Sequence, residues 1–120
     1  MPEKDPGYLF EQYKKMVSFT TAEHAIPVIN LVFYLSAKAG DKYPQRSDYK
    51  KINNMIAELN VMLTEYGREK NIAVIDMSKT FYGDTKELKD EYTTDGVHLS
   101  ELAYKAWAEA ITAVLEKHKI

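Results

Sequence analysis

The amino-acid sequence predicts an α/β protein, a partial three-layer sandwich with a short parallel sheet, in the order helix, strand, helix, strand, helix. Two apolar runs, at residues 27–35 and 72–75, lack the alternation of half-exposed strands, so both of their faces should be covered. Amphipathic helical periodicity precedes the first run, separates the two and follows the second. Two strands that are connected by a helix pair with each other in parallel, so the sheet is predicted to be parallel.

Length and composition limit the classes of function. A chain of 120 residues forms one domain at most, and no linker, repeat or low-complexity tract divides it. The net charge of −2 supplies no basic surface for nucleic acid, and no run reaches the length of a membrane span. The chain has no cysteine, which excludes thiol chemistry and a disulfide scaffold. Residues 1–6 are polar and acidic, unlike a signal peptide, and the compartment stays open.

The first helix is predicted over residues 8–19 and the first strand over residues 27–35. His24, in the loop between them, is expected to be solvated. Asn30 is the polar exception in the strand, and a buried amide needs hydrogen-bond partners. We therefore expect Asn30 near the end of the sheet or bonded to a neighbouring loop, with a functional role as the less favoured alternative.

A loop over residues 36–48 follows the carboxyl end of the first strand, where α/β folds place their sites. A long helix is predicted next, over residues 48–69, with Ser47 and Asp48 as its cap. Gly67 lies near its end, where a left-handed residue would be useful. Its predicted buried face consists of Ile52, Met55, Ile56, Leu59, Met62, Leu63 and Tyr66.

The last third of the chain begins with Asp76, which follows the second strand and is predicted to accept from backbone amides of the next loop. Residues 77–92 are predicted to be irregular or weakly helical, anchored by Phe81 and Tyr82. Ser100 then caps a final helix over residues 101–117. The predicted buried stripe of that helix is Leu102, Trp107, Ala110, Ile111, Val114 and Leu115.

The stretch with the clearest chemical content is residues 92–100, in which Asp95 and His98 stand three apart on a turn that contains Gly96. A carboxylate this close can accept from one imidazole nitrogen, select the tautomer and leave the other nitrogen free to take a proton. The alternative is a simple turn at Asp95 and Gly96, with His98 as a surface or half-buried residue. When an aspartate and a histidine stand three residues apart and nothing else is known, a simple turn is the more common outcome.

The flanking residues favour the chemical interpretation. The run Asp95-Gly96-Val97-His98-Leu99-Ser100, followed by Tyr104 and Trp107-Ala108, resembles the last block of the SGNH (GDSL-type) esterase and lipase family. Ala103 stands where that family usually has glycine. The resemblance implies a flavodoxin-like SGNH fold and hydrolysis of a small ester, such as an O-acetyl group on a carbohydrate. It also implies that His98 is the general base and Asp95 its orienter, with no metal or organic cofactor.

The nucleophile of such an enzyme is not evident in this sequence. The family places it in a G-D-S turn, which this chain lacks, together with the glycine and asparagine of the oxyanion hole. None of the serines has the required context: Ser18, Ser36, Ser47, Ser78 and Ser100. The chain therefore resembles the C-terminal half of an SGNH hydrolase and is expected to be inactive alone, with the nucleophile supplied by a second chain or an N-terminal segment. The alternative is a non-catalytic binding or assembly module that keeps the fold.

Two strands form only part of the sheet that such a fold requires. The strand over residues 27–35 would keep an open edge, which is a template for pairing with another chain. Helix faces that normally cover a larger sheet would expose apolar surface. We therefore predict a homodimer or higher oligomer, with the first strand or the first two helices at the interface.

Overall fold

The structure, a computed structural model, describes residues 5–120, apart from the side chain of Arg46. Residues 1–4, on which most of the signal-peptide prediction rests, lie outside the described residues. The observed order of helices and strands confirms the predicted α/β class. The elements are α1 (Pro6–Ala22), β1 (Val28–Asn30), α2 (Lys38–Lys42), α3 (Tyr49–Lys70), β2 (Ala73–Ile75), α4 (Ser78–Phe81) and α5 (Glu101–Lys117). Short 3-10 turns occur at Pro44–Arg46 and Asp90–Tyr92.

The two strands pair in parallel, with Val28 opposite Ala73 and Asn30 opposite Ile75. Two separate apolar clusters cover the two faces of this sheet. One contains Ile29, Leu31, Leu59 and Leu63, with side chains of α1 packed against it. The other contains Ile75, Met77, Phe81, Tyr82, Leu88 and Ala103, with Trp107 and further side chains of α5 packed against it. The sheet is therefore the middle layer between α1 and α3 on one side and α5 on the other.

The first strand is shorter than predicted, because two asparagines of α3 replace the sheet ladder beyond Asn30. Asn60 accepts from the Val32 amide at 2.9 Å and donates to the Val32 carbonyl at 2.9 Å. Asn53 accepts from the Leu35 amide at 2.8 Å and donates to its carbonyl at 2.9 Å. Buried backbone groups need partners, and here side-chain amides supply them. The segment after Asn30 is therefore not part of the assigned strand.

Helix α3 departs from its predicted pattern at three positions. Asn53 is only 1% exposed and lies on the buried face with Leu59 and Leu63, although a polar residue was not expected there. Asp48 is the N-cap residue, as predicted, but its side chain makes no capping hydrogen bond. The left-handed residue after the helix is Asn71, with φ of 60°, instead of Gly67.

Gly67 allows helix α3 to pack closely against β2. A Cβ atom at this position would lie 2.5 Å from Cγ2 of Val74 and 3.1 Å from the carbonyl oxygen of Ile72. The backbone of α3 therefore approaches β2 more closely than any side chain at residue 67 would allow.

Helix α5 begins as predicted, because the Ser100 hydroxyl accepts from the Ala103 amide at 3.3 Å. Of its predicted buried stripe, Trp107, Ala110, Ile111 and Val114 pack against the core, but the first position is wrong. Leu102 is 50% exposed, whereas Ala103 is fully buried. Ala103, Trp107 and Ala110 recur at helical spacing on the core side, and Leu102 lies about 100° around the helix from that stripe.

Asn30 and Asp76, the two polar side chains for which hydrogen-bond partners were predicted, both have such partners. Asn30 is the last residue of β1, and its Oδ1 accepts from Nε1 of Trp107 at 2.8 Å. Asp76 accepts from the Ser78 amide at 2.9 Å. Phe81 and Tyr82 are buried and anchor the segment after β2, while His24 is exposed. Among the described helices, none combines the length and apolarity that crossing a bilayer requires.

Candidate active site

The turn that carries Asp95 and His98 is built from hydrogen bonds between its own residues. Thr93 and Leu99 form an isolated antiparallel bridge across it. The Thr93 hydroxyl donates to the His98 carbonyl at 2.7 Å and accepts from the Gly96 amide at 2.8 Å. Gly96 has φ of 94°, a conformation that glycine adopts without strain. The turn is therefore a local property of this stretch, as the sequence predicts.

Within the turn, the side chains of Asp95 and His98 contact each other directly. Nδ1 of His98 lies 2.7 Å from Oδ2 of Asp95. Oδ1 of Asp95 accepts from the backbone amides of His98 at 2.8 Å and of Val97 at 2.9 Å. Because an ionised carboxylate only accepts, Nδ1 must carry the proton of a neutral ring, and Nε2 is then the basic nitrogen.

Asp95 and His98 differ in exposure and in their electrostatic surroundings. The Asp95 side chain is 16% exposed and the His98 side chain 70%. Hydrogen bonds from the His98 amide, the His98 ring and the Val97 amide hold the pKa of Asp95 well below its usual range. The carboxylate therefore stays ionised at neutral pH. The imidazole presents its far side to solvent, where a second reacting group could approach.

Tyr43 is a third member of this cluster, which sequence reasoning missed. Its hydroxyl donates to Oδ2 of Asp95 at 2.9 Å. This hydrogen bond to Asp95, assisted by burial, raises the pKa of the Tyr43 phenol. The two residues are 52 positions apart, and Tyr43 lies in the predicted loop without any local motif. Only its place after the first strand, where α/β folds gather functional groups, is a hint.

The segment that contains Tyr43 is not an open loop, because it folds into α2 and a 3-10 turn and packs against the Asp95 turn. The Ser36 amide donates to the Gly96 carbonyl at 3.0 Å. A Cβ atom on Gly96 would lie 2.0 Å from the backbone nitrogen of Ala39, which is fully buried. Residues 36–43 and 93–99 are thus held in direct backbone contact.

Three of the five serines have side-chain hydrogen bonds to residues other than His98 in the described part of the chain. The Ser36 hydroxyl accepts from the Lys38 amide, the Ser78 hydroxyl donates to Asp76, and the Ser100 hydroxyl donates to the Glu91 carbonyl. Within residues 5–120, the hydrogen bond of the His98 ring is the one to Asp95. The same residues contain no group of three acidic or histidine side chains spaced to hold a metal ion.

A wide concavity of about 770 Å³ lies away from this cluster, between the ends of α1, α3 and α5. Ile26 and Pro27 precede β1, and Asn71 and Ile72 precede β2, so the concavity lies at the amino ends of both strands. Asp95 and His98 do not line it. Size alone therefore does not identify the candidate site, which rests on the geometry of the turn.

A family model described as GDSL-like lipase/acylhydrolase matches residues 9–111. The chain belongs to this family. This confirms the resemblance that residues 95–108 carry and extends it over most of the chain. No curated protein matches the chain significantly.

Solved structures of the GDSL family share the fold. A GDSL-like lipase from Bacteroides thetaiotaomicron superimposes with a TM-score of 0.80 and 23% identity, over 95% of this chain and 54% of that one. A protein assigned as an acylhydrolase from Bacteroides fragilis superimposes with a TM-score of 0.75 and 25% identity, over 94% of this chain and 52% of that one. The third structure is a protein from Desulfitobacterium hafniense that is assigned as lipolytic and to the G-D-S-L family. It superimposes with a TM-score of 0.68 and 22% identity, over 88% of this chain and 53% of that one. The chain thus spans about half the length of these GDSL proteins, with the fold predicted for it.

Proposed function

We propose that this GDSL-family chain carries the acid–base half of an ester-hydrolase site. His98 is the general base, and Asp95 orients it and stabilises the imidazolium that forms when it takes a proton. The observation that supports this most directly is the 2.7 Å contact between Nδ1 of His98 and Oδ2 of Asp95, with the rest of the ring exposed. The substrate is a small acyl ester, such as an O-acetyl group on a carbohydrate.

The serine nucleophile and oxyanion donors come from outside these 120 residues, either from a second polypeptide or from a segment of a longer chain. The site needs them because a histidine–aspartate pair alone does not form an acyl intermediate. The exposed ring of His98 is compatible with the approach of such a segment. On this proposal the chain is a single domain equivalent to the C-terminal half of the GDSL fold, without a metal or organic cofactor.

The complementary segment would pair with the open edge of β1. Because the Leu31 amide donates to the Ile75 carbonyl, alternation along the strand points the backbone groups of Val28 and Asn30 away from β2. Exposed apolar side chains lie in the same part of the molecule, among them Met16 at 54% and Ile26 at 64%. Without that segment, the same surface supports a homodimer or higher oligomer.

Hydrolysis of p-nitrophenyl acetate tests the catalytic half of the proposal. The purified chain is assayed alone and with a separately produced N-terminal half of a GDSL relative that contains its serine. We expect no hydrolysis above background from either part and restored hydrolysis from the mixture. The restored rate should be lost with His98→Ala and with replacement of the supplied serine.

Two outcomes would contradict it. If the chain alone hydrolyses the ester and His98→Ala abolishes that rate, the chain has its own nucleophile. If a mixture that demonstrably forms a complex remains inactive, the rival interpretation as a non-catalytic binding or assembly module is favoured. Sedimentation of the chain alone tests the oligomer, and a well-folded monomer at micromolar concentration would exclude it.

A further inference from the structure

We propose that Tyr43 is a positioning residue for Asp95 and His98, holding the Asp95 carboxylate from outside the turn that carries both. The proposal rests on the proposed function, since it adds a supporting member to that pair. Within the described residues no hydrogen bond joins Tyr43 to His98, and Tyr43 acts through Oδ2 of Asp95. A phenol at this place is no part of the D-G-x-H-L motif and comes from a different element of the fold.

The hydrogen bonds of Asp95 show why an external donor matters. Three of its four donors belong to its own turn: the amides of Val97 and His98, and the His98 ring. The fourth is the Tyr43 hydroxyl. The two amides fix Oδ1, but the terminal torsion of an aspartate is only weakly restricted by itself. Oδ2 is otherwise held by the imidazole, which is largely exposed and is the group that must be oriented. Tyr43 is therefore the contact that fixes the plane of the carboxylate independently of the histidine.

Tyr43 is itself fixed relative to the turn. Its amide donates to the Ala39 carbonyl at 2.9 Å, and Ala39 packs directly against Gly96. The Ser36 amide donates to the Gly96 carbonyl, which adds a second backbone link. The Tyr43 phenol thus reaches Asp95 from a segment whose backbone is held against the turn. The raised pKa of Tyr43 keeps the hydroxyl protonated, so that it remains a donor.

Nuclear magnetic resonance of the imidazole distinguishes positioning from a merely structural contact. The ¹⁵N-labelled chain is studied well above the ordinary imidazole pKa of about 6.5. In the wild type we expect a slowly exchanging proton on Nδ1 of His98. In Tyr43→Phe we expect that proton to exchange with water about tenfold faster, the factor that corresponds to the loss of one hydrogen bond to the carboxylate that holds it. Asp95→Asn should lose the wild-type signal.

Tyr8→Phe is the matched control, because Tyr8 is 44% exposed on α1 and its hydroxyl has no hydrogen bond within the described residues. It should leave the His98 proton unchanged. The backbone spectrum and thermal midpoint of each variant show whether it is folded. If Tyr43→Phe is unfolded, titration of the wild-type phenol decides: a Tyr43 that titrates at the ordinary value of about 10 contradicts the contact.

A folded Tyr43→Phe with the wild-type proton exchange would overturn the proposal, whatever the esterase assay shows. Conversely, if the proton exchanges faster in Tyr43→Phe but the complemented mixture is inactive, the positioning role stands and the catalytic proposal fails. In an active mixture, Tyr43→Phe should lower kcat about tenfold with KM unchanged, because only the orientation of the base is affected.

Discussion

Nε1 of Trp107 donates a 2.8 Å hydrogen bond to Oδ1 of Asn30, which joins the last helix to the end of the first strand across 77 residues. The indole also packs edge-on against Phe33, with ring centroids 5.1 Å apart. The contact supplies Asn30 with the partner that a polar residue in a strand requires. It also fixes α5, and with it the turn just before the helix, against β1.

Replacing Trp107 by phenylalanine keeps an aromatic ring but removes this donor. We expect a loss of about 1–3 kcal/mol in the free energy of unfolding, the cost of leaving an amide oxygen without its partner. Urea unfolding followed by circular dichroism measures it, since the intrinsic tryptophan signal is lost. Tyr104→Phe, an exposed position on the same helix, is the control and should change little. An unchanged stability in Trp107→Phe would mean that water replaces the indole without cost.

Asn53 should contribute more to stability than its neighbour Asn54. Asn53 is 1% exposed and bonds to the backbone of Leu35 and to the carbonyl of Lys86 at 2.7 Å. Asn53→Ala leaves three backbone groups unpaired, and we expect it to cost about 3 kcal/mol. Asn54→Ala, at an exposed position in the same helix, should stay within about 0.5 kcal/mol. Equal effects in chemical denaturation would show that the Asn53 bonds are not needed.

Gly67→Ala tests the close approach of α3 to β2. Helix propensity alone favours alanine by about 1 kcal/mol. The new methyl group would meet Cγ2 of Val74 at 2.5 Å, and overpacking costs about 1–3 kcal/mol. We therefore expect a net destabilisation in urea. Val74→Ala in the same background should relieve the clash and give a favourable coupling in a double-mutant cycle. A stabilised Gly67→Ala would show that the backbone moves apart easily.

Asp95 should make stability depend on acid pH. The unfolded carboxyl binds its proton near its ordinary pKa of about 3.9, whereas the folded one binds it only at lower pH. Between these values the unfolded state holds more protons, so stability falls as the pH falls. We expect the thermal midpoint of the wild type to exceed that of Asp95→Asn at neutral pH, and the difference to shrink below about pH 4. Asp84→Asn, at an exposed carboxyl, serves as the control. A difference that stays constant with pH would contradict the assigned hydrogen bonds.

The order of helices and strands could be predicted from the sequence because each follows from local apolar periodicity and from caps such as Ser100. The pairing of Asp95 with His98 could also be predicted, since residues three apart on a glycine turn are close whatever the rest of the chain does. The structure corrected the length of β1 and the place of Leu102. Both depend on which distant element packs nearby.

What the sequence by itself determined, then, is the local part of this protein: the element order, the turn at residues 93–99 and the family to which its motif belongs. The tertiary structure alone decided that Asn53 and Asn60 replace the sheet ladder, that α3 needs Gly67, and that Tyr43 donates to Asp95. The physical reason is sequence separation. A hydrogen bond between residues 18 to 52 positions apart depends on the packing of whole elements, and no periodicity or spacing along the chain encodes it.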